Sequence, residues 1–197
     1  MISIRRNVDA DNSCLFSSIG YLLDRNNYNE FTKYKFRNMI VNILNNTDTY
    51  NDILELPKQQ YIDFITDISN WGGAIEIKIF SDLFDIMIVC FDVKTGRSDV
   101  YGNHHKDCIY LLYNGIHYDP LVVSEPTLDT SFDLTKFNSQ DYETFNNMKQ
   151  LVETCKNQKD YFDFNSLECE ICNIQISNQE QAYTHSIESN HWNYKQI

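Results

Sequence analysis

The sequence predicts an α+β fold, and three observations carry that reading. Segments with helical spacing of apolar residues occupy the first half, strand-like segments with a hairpin signal follow, and one long helical segment comes after them. At 197 residues, 42% hydrophobic and 14% aromatic, the chain has material for one good core and a small appendage. No internal repeat or low-complexity segment interrupts the pattern.

Residues 2–6 (ISIRR) read as a short strand. Apolar positions from Leu15 to Leu23 suit a helix, and residues 31–45 suit a second. A third begins at Pro57, a favoured first-turn residue, and runs through KQQYIDFITDIS to NWGG, where Gly72 suits a helix C-cap. The fourth, AIEIKIFSDLF, places Ile75, Ile79, Phe80, Leu83 and Phe84 on one face and Glu76 in the first turn, where the dipole favours it. Strands are expected at 86–93 (IMIVCFDV), at SDVYG and at 108–113 (CIYLLY). Asn114-Gly115 then gives a two-residue type I′ hairpin into IHYDPLV. In that register Leu112 lies opposite His117 and Tyr110 opposite Asp119. An irregular stretch runs to about residue 136, and residues 140–158 read as the last long helix. The tail from about residue 160 reads as a separate unit, giving domains at 1–158 and 159–197.

A formal net charge of −12 argues against nucleic acid, which needs clustered Lys and Arg. It suits a basic or neutral protein partner, or simply solubility. The N-terminus lacks the apolar stretch of a signal peptide, and no apolar run is long enough to span a membrane. The six cysteines, Cys14, Cys90, Cys108, Cys155, Cys169 and Cys172, are scattered rather than arranged as a disulfide framework. A reducing, cytoplasmic setting is therefore expected.

Chemistry concentrates at DADNSCLF (9–16) and at His117-x-Asp119. Cys14 sits where a polar run meets an apolar helix. There the helix dipole and a nearby imidazolium favour a thiolate, and unpaired N–H groups around residues 11–14 can form an oxyanion hole. Alternation puts His117 and Asp119 on one face, so the carboxylate can orient the imidazole. A cysteine before an apolar helix is nevertheless more often packed than reactive, and spacing alone does not bring the hairpin to Cys14.

DNSCLF (11–16), NWGGAIEIKIFSDLF (70–84) and LLYNGIHYDPL (111–121) together resemble the OTU (ovarian-tumour) family of deubiquitinating cysteine proteases, over roughly residues 2–155. The likeness is to the subgroup in which a zinc finger follows the OTU domain. It implies an OTU-type fold, a small central sheet packed between helices, and hydrolysis of isopeptide bonds at the ubiquitin C-terminus. By motif position Cys14 is the nucleophile, His117 the general base and Asp119 its orienting residue. Asp11 matches the motif aspartate whose loop shapes the oxyanion hole, and it also suits a helix N-cap. Trp71, Gly72, Gly73 and Glu76 match a WGG-x-x-E segment taken as architecture. The implied partners are ubiquitin, polyubiquitin chains and ubiquitinated proteins, whose basic surface an acidic enzyme would suit. Two rival readings are a silent ubiquitin-binding adaptor on this fold and a hydrolase of another ubiquitin-like modifier. Relatives with this finger often carry an N-terminal ubiquitin-like domain that docks on valosin-containing protein; a chain beginning at the first strand is not expected to share that partnership.

The tail contains Cys169-x2-Cys172-x12-His185-x5-His191, spacing suited to a structural two-Cys/two-His zinc site with no open position. Leu167 and Ile176 fall where such a finger needs apolar support. Ala182 stands where leucine would be usual, so the finger's own core is thin. Asp160, Asp163, Glu168, Glu170, Glu180 and Glu188 against the lone Lys195 point to protein rather than DNA as its partner.

Overall fold

A computed structural model describes residues 1–127, 129–157, 167–176, 179–189, 191 and 194–196. In chain order these form β1 (Ile2–Arg5), α1 (Cys14–Asp24), α2 (Thr32–Asn46), α3 (Lys58–Thr66), α4 (Ala74–Leu83), β2 (Ile86–Asp92), β3 (Ser98–Tyr101), β4 (Asp107–Tyr113), β5 (Tyr118–Ser124), β6 (Phe137–Asn138) and α5 (Tyr142–Asn157). The tail adds β7 (Leu167–Cys169), β8 (Gln175–Ile176), α6 (Gln179–Ser189) and β9 (Tyr194–Gln196).

The main sheet runs β1-β5-β4-β2-β3, with β6 pairing the start of β4. Only β2 and β4 are parallel; the other pairs are antiparallel. The central strands are buried on both faces, which explains their nearly continuous apolar runs. Ile88, Cys90, Ile109 and Leu111 face a core built with Leu15, Phe16, Ile19 and Leu22 of α1, Phe36 and Ile40 of α2, and Ile77 and Phe80 of α4. Met87, Val89, Phe91, Tyr110 and Leu112 face the other side, where Met148, Val152 and Cys155 of α5 cover them. The α+β expectation holds, as helices layered on both faces of a mixed sheet.

Three local expectations change. The hairpin has a four-residue connection, 114–117, because Tyr113 pairs with Tyr118 and Leu112 with Asp119. The cause is Asn114, whose Oδ1 accepts the N–H groups of Ile116 (3.0 Å) and His117 (2.8 Å) and closes a wider turn. Gly115 supplies the positive φ of 106° within it. The register moves by two residues, so face parity survives. Gly72 is not a C-cap, since α3 ends at Thr66. A Cβ there would lie 2.8 Å from Phe16 Cζ and 3.0 Å from Leu15 Cδ2, so glycine lets the 70–73 segment lie against α1. Finally, Ser13 rather than Asp11 occupies the N-cap position of α1. Residue 158, where the first domain was expected to end, lies outside the described residues, as does 159, where the second was to begin.

Candidate active site

Cys14 is the first residue of α1, an N-terminal position favourable to negative charge, and is 5% exposed. One turn on, Ser18 Oγ donates to the Tyr118 carbonyl at 2.9 Å and ties α1 to β5. That tie brings Cys14 to the hairpin, near enough for its sulfur to raise the pKa of the His117 ring. His117 Nε2 in turn meets Asp119 Oδ1 at 3.1 Å. The thiol, imidazole and carboxylate singled out in the sequence therefore lie together, the last two joined by a hydrogen bond. His117 is raised to about 10. Burial works against the charged ring, but Asp119 and then Cys14 outweigh it.

Asp119 is completely buried and has two further donors that sequence reasoning missed. Arg5 Nε donates to Oδ2 at 2.6 Å, and the Val8 N–H donates to Oδ1 at 3.0 Å. The Arg5 Nη2 also ion-pairs with Oδ2. The double arginine in a short, half-buried strand was the available signal. A buried carboxylate needs such a charged donor to stay ionised.

The loop before Cys14 is fixed at each peptide. Asp11 Oδ1 accepts the Ser13 N–H at 2.8 Å, while Lys33 ion-pairs with Oδ2 at 2.6 Å. Asp11 is thus a loop anchor that satisfies an amide at the helix start. Arg37 on α2, 2% exposed, donates to the Asn12 carbonyl (3.2 Å) and Ser13 Oγ (2.9 Å). It also donates to the carbonyls of Ile65, Asp67 and Asn70. Burial lowers its pKa to about 10, against the pull of Glu76 and Asp11. The peptide joining Asn12 and Ser13 is therefore held from both sides, its C=O by Arg37 and its N–H by Asp11. Among the described residues the Asn12 N–H donates to nothing, and the Cys14 N–H makes a long bond of 3.2 Å to the Asp11 carbonyl.

The WGG-x-x-E segment is architecture, as expected, with one addition. Glu76, 1% exposed, accepts from Tyr61 Oη (2.6 Å) and the Gly73 N–H (2.7 Å) to cap α4. Burial raises its pKa against these bonds. Trp71 Nε1 donates to Asn12 Oδ1, which ties this segment to the loop of the nucleophile.

In the tail, one ligand atom from each of Cys169, Cys172, His185 and His191 lies within 4.8 Å of the others. Cys172 Sγ is 3.4 Å from His185 Nε2, a separation normal for two ligands of one tetrahedral ion. Burial opposes a Cys169 thiolate, yet N–H groups of Cys172 and Ile171 point at the sulfur and hold its pKa below the usual value. His191 Nδ1 is buried with no hydrogen-bond partner among the described residues. Two soft sulfurs and two imidazoles converging on one point, one with an orphaned nitrogen, fit zinc.

The OTU-like cysteine protease family matches residues 9–120, which include Asp11, Cys14, His117 and Asp119. The chain belongs to this family. It is 34% identical to the ubiquitin thioesterase OTU1 of Dictyostelium discoideum, over 96% of this chain and 60% of that protein. Against the human ubiquitin thioesterase OTU1 the figures are 34%, 96% and 56%. The chain thus spans about three-fifths of the length of these relatives. A solved OTU domain in complex with ubiquitin superposes with a TM-score of 0.68 at 30% identity, covering 81% of this chain and 89% of that one.

Proposed function

We propose that this chain is a deubiquitinase that cleaves isopeptide bonds at the ubiquitin C-terminus through a thioester. The observation that carries this reading is the convergence of Cys14, His117 and Asp119 at the N-terminus of α1. With His117 raised to about 10, the ring readily holds a proton at neutral pH, and the reaction starts with the proton of the Cys14 thiol passed to it. The Cys14 sulfur attacks the carbonyl carbon of the ubiquitin C-terminal glycine. The developing oxyanion is met by the Asn12 N–H and by the loosely engaged Cys14 N–H. His117 gives its proton to the departing lysine amine as the C–N bond breaks and the thioester remains. It then takes a proton from the attacking water and returns it to Cys14 as acid is released. Asp119 keeps the ring oriented and charged, and Arg5 holds Asp119.

The relatives named ubiquitin thioesterase and the ubiquitin-bound OTU domain support this substrate. So does the net charge of −12, which suits a basic partner. Polyubiquitin chains and ubiquitinated proteins follow as substrates. Zinc, held by Cys169, Cys172, His185 and His191, would supply folding energy to the tail rather than chemistry. A cytoplasmic setting belongs to the same reading, since the nucleophile and the thiolate ligands both need reducing conditions.

A ubiquitin probe with a C-terminal electrophile tests the activity: it labels the wild type and not Cys14→Ala. Tight binding without labelling would instead indicate an adaptor. Native mass spectrometry tests the metal, with one zinc expected and lost in Cys169→Ser; a metal-free wild type would end that part of the reading.

A further inference from the structure

We infer that the tail finger is a fixed wall of the catalytic domain and a positioning element for the active-site loops. This inference rests on the zinc reading for the finger's own fold. Among the described residues the finger's buried side chains Leu167, Ile176 and Ala182 do not cluster by themselves: Ile116 of the catalytic domain completes the cluster, and Trp71 and Tyr194 pack against it. Ala182 is small, and the catalytic domain brings apolar volume to the same cluster. Ile116, 8% exposed, is the residue directly before His117.

The second contact runs to the other catalytic loop. Tyr194 Oη is pinned inside the finger by the carbonyls of Ala182 (2.8 Å) and His191 (3.0 Å) and by Ser186 Oγ (2.7 Å). Its ring lies 6.1 Å from that of the ligand His185, edge-on, and 5.8 Å from that of Trp71. Trp71 hands the contact on through its Nε1–H to Asn12 Oδ1, two residues before Cys14. A continuous series therefore leads from a metal ligand, His185, through Tyr194 and Trp71 to the oxyanion loop. Ala182, Ser186 and Tyr194 also close one side of a cavity of about 420 Å³ that Tyr113 and Tyr118 line on the other. Undocking would open that space to water beside the hairpin.

A wall of this kind acts on the geometry of Asn12 and His117 before any substrate arrives. A substrate-binding module acts on affinity instead, and the two differ in what they change. The test uses the full chain in three forms: wild type, Tyr194→Ala and Trp71→Phe. Each is checked for bound zinc by native mass spectrometry, then measured by amide hydrogen exchange and with a fluorogenic ubiquitin substrate. Zinc-loaded Tyr194→Ala is expected to exchange faster at residues 11–18 and 114–118 by roughly three- to thirtyfold. Its kcat should fall by a similar factor while KM stays within about twofold. Unchanged exchange there, or a raised KM with kcat intact, overturns the inference. Should Tyr194→Ala lose its zinc, Trp71→Phe decides, because it keeps an aromatic ring against Tyr194 while removing the N–H given to Asn12. Faster exchange at 11–14 with an unaltered finger supports the link, and no change overturns it. If the wild type itself binds no zinc while both variants behave as expected, the metal reading fails and the docked wall stands.

Discussion

Replacing Asp119 by Asn keeps the shape of the carboxylate and removes its charge, so it isolates what that charge does. In the native site His117 is raised from 6.5 to about 10, although burial alone would lower it. The net preference for the imidazolium is about 5 kcal/mol at 1.36 kcal/mol per pH unit. Because the folded value lies above the unfolded one, this stability is fully present below pH 6.5 and is lost as pH rises through about 10. At pH 7 up to about 4 kcal/mol of it remains. The same substitution strips the Arg5 guanidinium, whose side chain is only 7% exposed, of its ion-pair partner. Removing one member of a buried pair typically costs about 3–5 kcal/mol. The two effects share one carboxylate and overlap, so Asp119→Asn is expected to lose about 3–5 kcal/mol in urea unfolding at pH 7, and distinctly less at pH 10. In catalysis the alkaline limb of the pH–rate profile for a fluorogenic ubiquitin substrate should move down by at least two pH units. An unshifted limb, or a stability loss independent of pH between 7 and 10, would refute the assignment of the raised His117 to Asp119.

Two other substitutions probe the scaffold. Arg37→Met leaves the Asn12 carbonyl and Ser13 Oγ without their donor, at about 1–3 kcal/mol for each buried group left unsatisfied and with partial relief from no longer burying the guanidinium; probe labelling of Cys14 should slow at least tenfold in protein that is still folded by circular dichroism. Gly72→Ala puts a Cβ 2.8 Å from Phe16 Cζ and should lower the urea midpoint by an amount equal to about 1–3 kcal/mol, with the m-value unchanged.

The grouping of Cys14, His117 and Asp119 was legible because each stands in a pattern that physical rules interpret. A cysteine opens a helix, and a His-x-Asp pair follows an Asn-Gly turn, so parity kept His117 and Asp119 together even when the register moved by two. The register itself was not legible. Asn-Gly usually marks a two-residue turn, but here the Asn114 side chain captures two backbone amides and widens it. Gly72 misled for a related reason: glycine after a helix suggests a cap, whereas this one answers to Phe16 and Leu15, more than fifty residues away in sequence. Arg37 gave no signal in the sequence as part of the site, and Arg5 only the doubled arginine of its strand. Their burial becomes evident only when β1 meets β5 and α2 crosses behind the nucleophile loop. Ala182 stands out in the sequence as a small residue, but the side chains that pack with it, Ile116 and Trp71, belong to the other part of the chain.

The pairing of β1 with β5 also sets a timetable for synthesis. Ile2 lies against Ser124 and Arg5 against Leu121, so β1 waits for β5 before it has a neighbour. Contacts of such long range form slowly, after many residues of loop have been closed. Cys14 leaves the ribosome ahead of His117 and Asp119, and Arg5 meets Asp119 only once residues near 124 have emerged. A nascent chain therefore carries the Cys14 thiol without the imidazole and carboxylate that meet it in the folded site. On the proposed function, that thiol stays chemically quiet until the sheet has closed.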